Sequence, residues 1–124
     1  MRKTAWLATA ALSLAACWAL ASTPPTTVGA AAADVIDLGK EIAFDRKKGN
    51  CLACHLMDDG ASPGDIGPPL VAMKARFPDR ATLRAQIWDA QVANPATRMP
   101  PFGKHQALSE KEIDAVVDYL YTLL

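Results

Sequence analysis

Cysteine and histidine are scarce in this sequence, with three of the first and two of the second among 124 residues. A structural zinc site needs about four nitrogen, sulfur or oxygen ligands, and no second cysteine pair exists to complete one. Neither sign of charge predominates, because 13 Lys and Arg face 13 Asp and Glu. Nucleic acid or an acidic membrane would therefore meet no basic field. Period-two alternation of apolar and polar residues is not sustained anywhere, which argues against a sheet. There is no internal repeat, and no apolar run reaches the roughly 20 residues that a bilayer span requires. The length allows one domain.

What is present begins with a leader. Arg2 and Lys3 precede an uncharged stretch from Ala5 to Leu20, followed by small residues and Pro24-Pro25. This is the pattern of a secretory signal peptide, too short for a membrane helix. Residues 1–33 are expected to be leader and linker, and residues 34–124 the folded domain. Cleavage is expected at Ala19-Leu20-Ala21 or after Ala31-Ala32-Ala33. Leu14-Ala15-Ala16-Cys17 also fits a lipoprotein signal, with Cys17 acylated. Cleavage after Ala33 leaves 91 residues, 11 basic and 13 acidic, for a net charge of −2. So small a domain buries only about 60–65% of its unfolded surface and usually needs a cofactor, metal or disulfide. Cys51 and Cys54 are too close for a disulfide between them to constrain much chain.

Three stretches have helical period. Asp34 to Arg46 places Val35, Leu38 and Ile42 on one face, with Asp34 as N-cap. Arg80 to Val92 does so with Leu83, Ile87 and Trp88, and stops before Asn94-Pro95. Ser109-Glu110-Lys111-Glu112 reads as a capping box, with Leu108 and Ile113 as its hydrophobic staple. Ile113, Val116, Val117, Leu120 and Leu124 then form an apolar stripe. The expected fold is all-α, its helices joined by long loops over residues 58–69 and 94–103. Loops of that length in a small domain are usually functional.

The chemistry sits in Cys51-Leu52-Ala53-Cys54-His55, the C-x-x-C-H pattern of c-type haem attachment. Two thiols three positions apart reach the two vinyl groups on one porphyrin edge, and the next residue directs its imidazole at the iron. A thioredoxin-like pair would want a βαβ context that this chain lacks. Four residues compete for the opposite face of the iron: Met57, Met73, Met99 and His105. Met57 is expected on the same helix as the motif. Met99 lies in Asn94-Pro95-Ala96-Thr97-Arg98-Met99-Pro100-Pro101, whose prolines limit the entropy lost on holding a thioether in place. Met99 is therefore the expected second axial ligand, with His105 the alternative in a polar surface run. In Gly67-Pro68-Pro69-Leu70, the Pro68 carbonyl is expected to accept the Nδ1–H of His55. Phe44, Phe77, Trp88, Phe102, Tyr119 and Tyr121 are expected to pack around the cofactor. Arg46-Lys47-Lys48 is a basic rim that can steer an acidic redox partner.

Together these residues resemble the class I cytochrome c family, with C-x-x-C-H early, a Gly-Pro-x-Leu loop and a late axial Met. Within it the chain is similar to the SoxX cytochromes. The similarity rests on Arg76-Phe77-Pro78-Asp79, Gln86-Ile87-Trp88-Asp89 and the run from Asn94 to Gly103. It implies an all-α class I fold around one covalent haem c. It also implies a periplasmic monohaem subunit paired with a SoxA-like cytochrome in an L-cysteine S-thiosulfotransferase of thiosulfate oxidation. Electrons would pass to a small soluble cytochrome c. The catalytic site would lie in the partner, and this chain would carry no catalytic residue. A free electron carrier is the alternative, and a haem enzyme with an open iron is a third reading.

Overall fold

The computed structural model describes residues 28–124, and its regular elements are helical. Helix α1 spans Val28–Phe44, a 3₁₀ turn spans Cys51–Ala53, α2 Met73–Arg76, α3 Arg80–Trp88 and α4 Glu110–Leu120. The leader as far as Pro25, Ala21 and Cys17 lie outside the described residues. Helix α1 starts six residues before the expected Asp34, because the alanines ahead of it are strong helix formers. Asp34 is thus interior and exposed, and the Ala33–Asp34 boundary falls within the helix.

The frame is the pairing of α1 with α4. Of the residues expected to face inward from α1, only Ile42 is buried, while Val35 and Leu38 are exposed. The face turned to α4 runs instead through Ile36, Gly39 and Ala43. A Cβ on Gly39 would collide with the Ala115 carbonyl and sit 2.8 Å from the Tyr119 Cβ. Glycine is thus what lets the two backbones approach. Phe44 meets the Tyr119 ring edge-on at 6.4 Å.

Helix α4 follows its sequence closely. Ser109 Oγ accepts from the Glu112 N–H at 3.4 Å, and Glu112 Oε2 accepts from the Ser109 N–H at 2.8 Å, which completes the capping box. Ile113, Val116, Val117 and Leu120 are buried as expected. The helix ends at Leu120, so the next inward residue is Leu123, and Leu124 is fully exposed.

Helix α3 is capped by Asp79, whose carboxylate accepts from the Ala81 and Thr82 N–H groups at 3.1 and 3.2 Å. It ends at Trp88, four residues short of Val92, because Asp89 leaves helical geometry at φ −153° and ψ 88°. Arg80 and Arg84 tie it to α4 through Asp114, Asp118 and Glu110 at 2.9–3.0 Å. Met57 is not on a helix with the motif. The 3₁₀ turn ends at Ala53, and Met57 is fully buried in the core.

Candidate haem site

The C-x-x-C-H segment owes its shape to Asn50. That residue takes the left-handed conformation at φ 46° and ψ 37°, which asparagine tolerates better than most residues. The chain then folds into a tight turn, in which the Cys51 carbonyl accepts from Cys54 N–H at 3.1 Å and His55 N–H at 2.9 Å. The two cysteines are half-buried and not joined in a disulfide. Burial pushes the Cys51 thiol up to about 11, so it stays protonated at neutral pH. That does not suit a thiolate redox catalyst.

A second strip of backbone runs alongside. Gly64 N–H donates to Leu52 O at 2.9 Å, Gly67 N–H to Cys54 O at 2.7 Å and Leu70 N–H to Leu56 O at 2.8 Å. These bonds bring the Pro68 carbonyl to 2.7 Å from His55 Nδ1. A carbonyl can only accept, so Nδ1 carries the proton and Nε2 keeps its lone pair. Gly67 lies against the imidazole, and a Cβ there would sit 2.8 Å from Nε2 and closer still to Cε1 and Nδ1.

Cys51, Cys54, His55, Pro68 and Met99 line one cavity of about 520 Å³. Its other walls are largely apolar, among them Leu70, Phe77, Leu83, Ile87 and Val116. The volume suits a cofactor-sized group. An apolar cavity with two thiols on one wall and an imidazole beside them fits a covalently held haem. Met73 also lines it, but is buried in the core and its sulfur accepts from Arg76 Nη1 at 3.6 Å. His105 is exposed and lies away from the cavity. Of the six aromatic residues expected to surround the cofactor, only Phe77 and Phe102 reach the cavity. Trp88 packs against Gly103, Phe44 and Tyr119 pack together, and Tyr121 donates to the Phe77 carbonyl at 2.7 Å. Among the described residues, no three His, Cys, Asp or Glu side chains converge to hold a metal ion.

Arg46, Lys48, Arg76 and Arg98 stand on the cavity wall. Only the first two belong to the basic rim read from the sequence. Arg76 and Arg98 fall in the stretches that carry the family resemblance, but neither was read there as part of the basic rim. The Gly67-Pro68-Pro69-Leu70 loop was read from the sequence, but not the contact of Gly67 with the His55 ring.

This fold and this site define a c-type cytochrome, a haem protein of electron transfer. Residues 39–120 match the family of cytochrome c oxidase, cbb3-type, subunit III, and the chain belongs to that family. A chain in the crystal structure of SoxXA from P. pantotrophus superposes with a TM-score of 0.62 and is 28% identical. That alignment covers 69% of this chain and 79% of the other. Fold and sequence thus agree on a SoxX-like cytochrome. An uncharacterized lipoprotein of Aquifex aeolicus (strain VF5) is 36% identical over 76 residues. Those residues are 60% of this chain but only 37% of the lipoprotein. Among the described residues, no helix is long and apolar enough to cross a membrane.

Proposed function

We propose that this chain is the electron-accepting subunit of a SoxAX-type L-cysteine S-thiosulfotransferase, working outside the cytoplasm and holding one covalent haem c. The observation that carries the reading is the convergence of Cys51, Cys54, His55 and Met99 on one apolar cavity. Cys51 and Cys54 would hold the group covalently through their two sulfurs. His55 Nε2 and the Met99 thioether would be the ligands to its iron. The Pro68 carbonyl fixes the ring and raises its basicity. When bound, the haem supplies a one-electron ferric/ferrous couple. The apolar walls keep water from it, and the thioether favours the ferrous state.

In this reading thiosulfate is joined to a carrier-protein cysteine at a SoxA-like partner, and the electrons leave through this chain to a small cytochrome c. Exposed Leu56, Ile66 and Val71, carried on the two strips beside His55, support a subunit over a free carrier. They leave apolar surface next to the haem for a partner to cover. A signal peptide, or acylation at Cys17, would deliver the chain to the compartment where haem c is attached. The likeness to a lipoprotein supports such export.

Two measurements test this. The haem should stay with the chain through denaturing electrophoresis, and Cys51→Ala/Cys54→Ala should release it. Covalent haem retained in the double variant would sink the attachment. The holoprotein should co-elute with its SoxA homologue, and thiosulfate should reduce its haem only when that partner is present. A monomer that exchanges electrons freely with small cytochromes but ignores the SoxA homologue would be a free carrier.

A further inference from the structure

The loop bearing Met99 is closed at its base by residues that play no part in the function proposed above. Asp89 is the one charged side chain buried among the described residues, at 7% exposure. It lies just past the end of α3. Lys104, beyond the far end of the Met99 loop, donates from Nζ to its Oδ2 at 2.8 Å, and Gln91 N–H donates to its Oδ1 at 3.1 Å. The same neck is tied by backbone. The Trp88 carbonyl accepts from Gly103 N–H at 3.2 Å and Lys104 N–H at 3.3 Å, and the Ala90 carbonyl accepts from Asn94 N–H at 3.0 Å. Residues 88–90 therefore grip both ends of the loop. Gly103 is pressed on the Trp88 indole so closely that a Cβ would sit 2.8 Å from Cζ3 and nearer to two other ring atoms. None of Trp88, Asp89, Gly103 and Lys104 touches the cavity, whereas Thr97, Arg98, Met99 and Pro100 within the loop do.

The geometry points to Asp89 and Lys104 as positioning residues for the axial sulfur: we propose that their ion pair locks the neck of the Met99 loop and so holds the iron closed to outside ligands. This rests on the reading of Met99 as a ligand. The bonds within the loop are short-range ones such as Met99 N–H to Thr97 Oγ1 at 3.2 Å. Beyond the neck the loop is held by Met99 and Phe102 packing on the core and by the Phe102 carbonyl accepting from Ala107 and Leu108 N–H at 2.9 and 3.2 Å. Lys104 also holds the Asp89 carboxyl below its ordinary range, chiefly through the hydrogen bond from Nζ. A buried carboxylate whose partner is removed becomes a liability at that junction.

The test uses the haem-loaded protein. Asp89→Asn, Lys104→Gln and Lys104→Arg are titrated with imidazole while the near-infrared sulfur-to-iron band and the thermal midpoint are followed. Arg80→Gln serves as the control, since it cuts ion pairs between α3 and α4 far from the loop. An outside ligand binds only the open form, so its apparent dissociation constant falls in proportion as the open fraction rises. Asp89→Asn and Lys104→Gln should each tighten imidazole binding about tenfold, a shift of about 1.4 kcal/mol, and Lys104→Arg should restore most of the wild-type value. Arg80→Gln should lower the thermal midpoint and leave imidazole binding unchanged. If the neck variants tighten binding no more than Arg80→Gln does, the pair is merely structural and the proposal fails. Met99→Ala separates the two ideas. A sulfur band and imidazole affinity unchanged in that variant would show that Met99 is not the ligand, which overturns the underlying reading whatever the neck variants do.

Discussion

Gly67 shows how much of this site depends on a side chain that is not there. A methyl group at that position would occupy the space of the His55 ring. Gly67→Ala is therefore expected to push the imidazole off its bond to the Pro68 carbonyl. Part of the ferric protein should turn high-spin, which the visible spectrum reads directly. The sulfur side makes a second expectation. Met99→His should lower the reduction potential, because replacing a thioether by imidazole removes its preference for ferrous iron. Potentiometric titration checks this, and an unchanged potential would return Met73 as the ligand. The contact of Gly67 with the His55 ring was not written in local sequence. It follows from segments that meet only after the chain has folded.

At the scale of elements, α1 against α4 is the contact that the rest of the fold depends on. Gly39→Val should destabilise by the upper part of the roughly 1–3 kcal/mol typical of overpacking, because the obstacle is the Ala115 backbone rather than a movable side chain. For a domain of this size that is a drop of roughly 4–8 °C per kcal/mol in the melting temperature. The capping box of α4 gives a pH dependence. Lys48 donates to Glu112 across the molecule, and with the Ser109 N–H and hydroxyl it brings the Glu112 carboxyl down to about 2, from an ordinary 4.5. The folded value is the lower one, so the stabilisation is fully present above about 4.5 and is lost as pH falls toward about 2. Urea midpoints measured across that window should fall with pH, and Glu112→Gln should flatten the fall. This helix was legible in the sequence to its first residue, since a capping box and a 3.6-residue period are local signals. Helix α1 was less so. Val35 and Leu38 have the right spacing for a buried face, yet the face that docks is the one bearing Gly39, and nothing local says that α4 needs a glycine there.

For the whole molecule, the walls of the haem cavity are part of the hydrophobic core. Leu70, Met73, Leu83, Ile87, Val116 and Leu120 belong both to that core and to the lining of the 520 Å³ cavity. Unfilled apolar space costs about 24 cal/mol per Å³, and a domain has only about 5–15 kcal/mol in hand. The Cys51→Ala/Cys54→Ala chain is therefore expected to lose cooperative thermal unfolding when purified free of haem. A sharp calorimetric transition in that chain would show that the helices hold the fold without it. The charges on the cavity rim make an expectation for the complex. Arg46, Arg76 and Arg98 should speed the encounter with an acidic partner, so the association rate should fall as salt rises. The assembled pair should persist, because an interface on the order of 2,000 Å² or more made through Leu56, Ile66 and Val71 is not screened. Stopped-flow mixing and gel filtration over one salt series measure the two effects separately.

The sequence by itself determined what depends on residues close together along the chain. The Cys51-to-His55 spacing pointed to haem attachment, the Ser109–Glu112 box and the stripe after it set out α4, and the prolines around Met99 marked a stiff loop facing some fixed target. Even the Pro68 carbonyl could be read, because a proline-rich turn shortly after a histidine is within reach of its ring. Only the tertiary structure decided which residues meet across long separations. It set Gly39 on Ala115, Gly67 on His55, Gly103 on Trp88 and Asp89 beside Lys104, and it put Met57 in the core and Met99 at the cavity. The physical reason is that close approach and burial depend on two surfaces at once, and neither carries the imprint of the other until packing has brought them together.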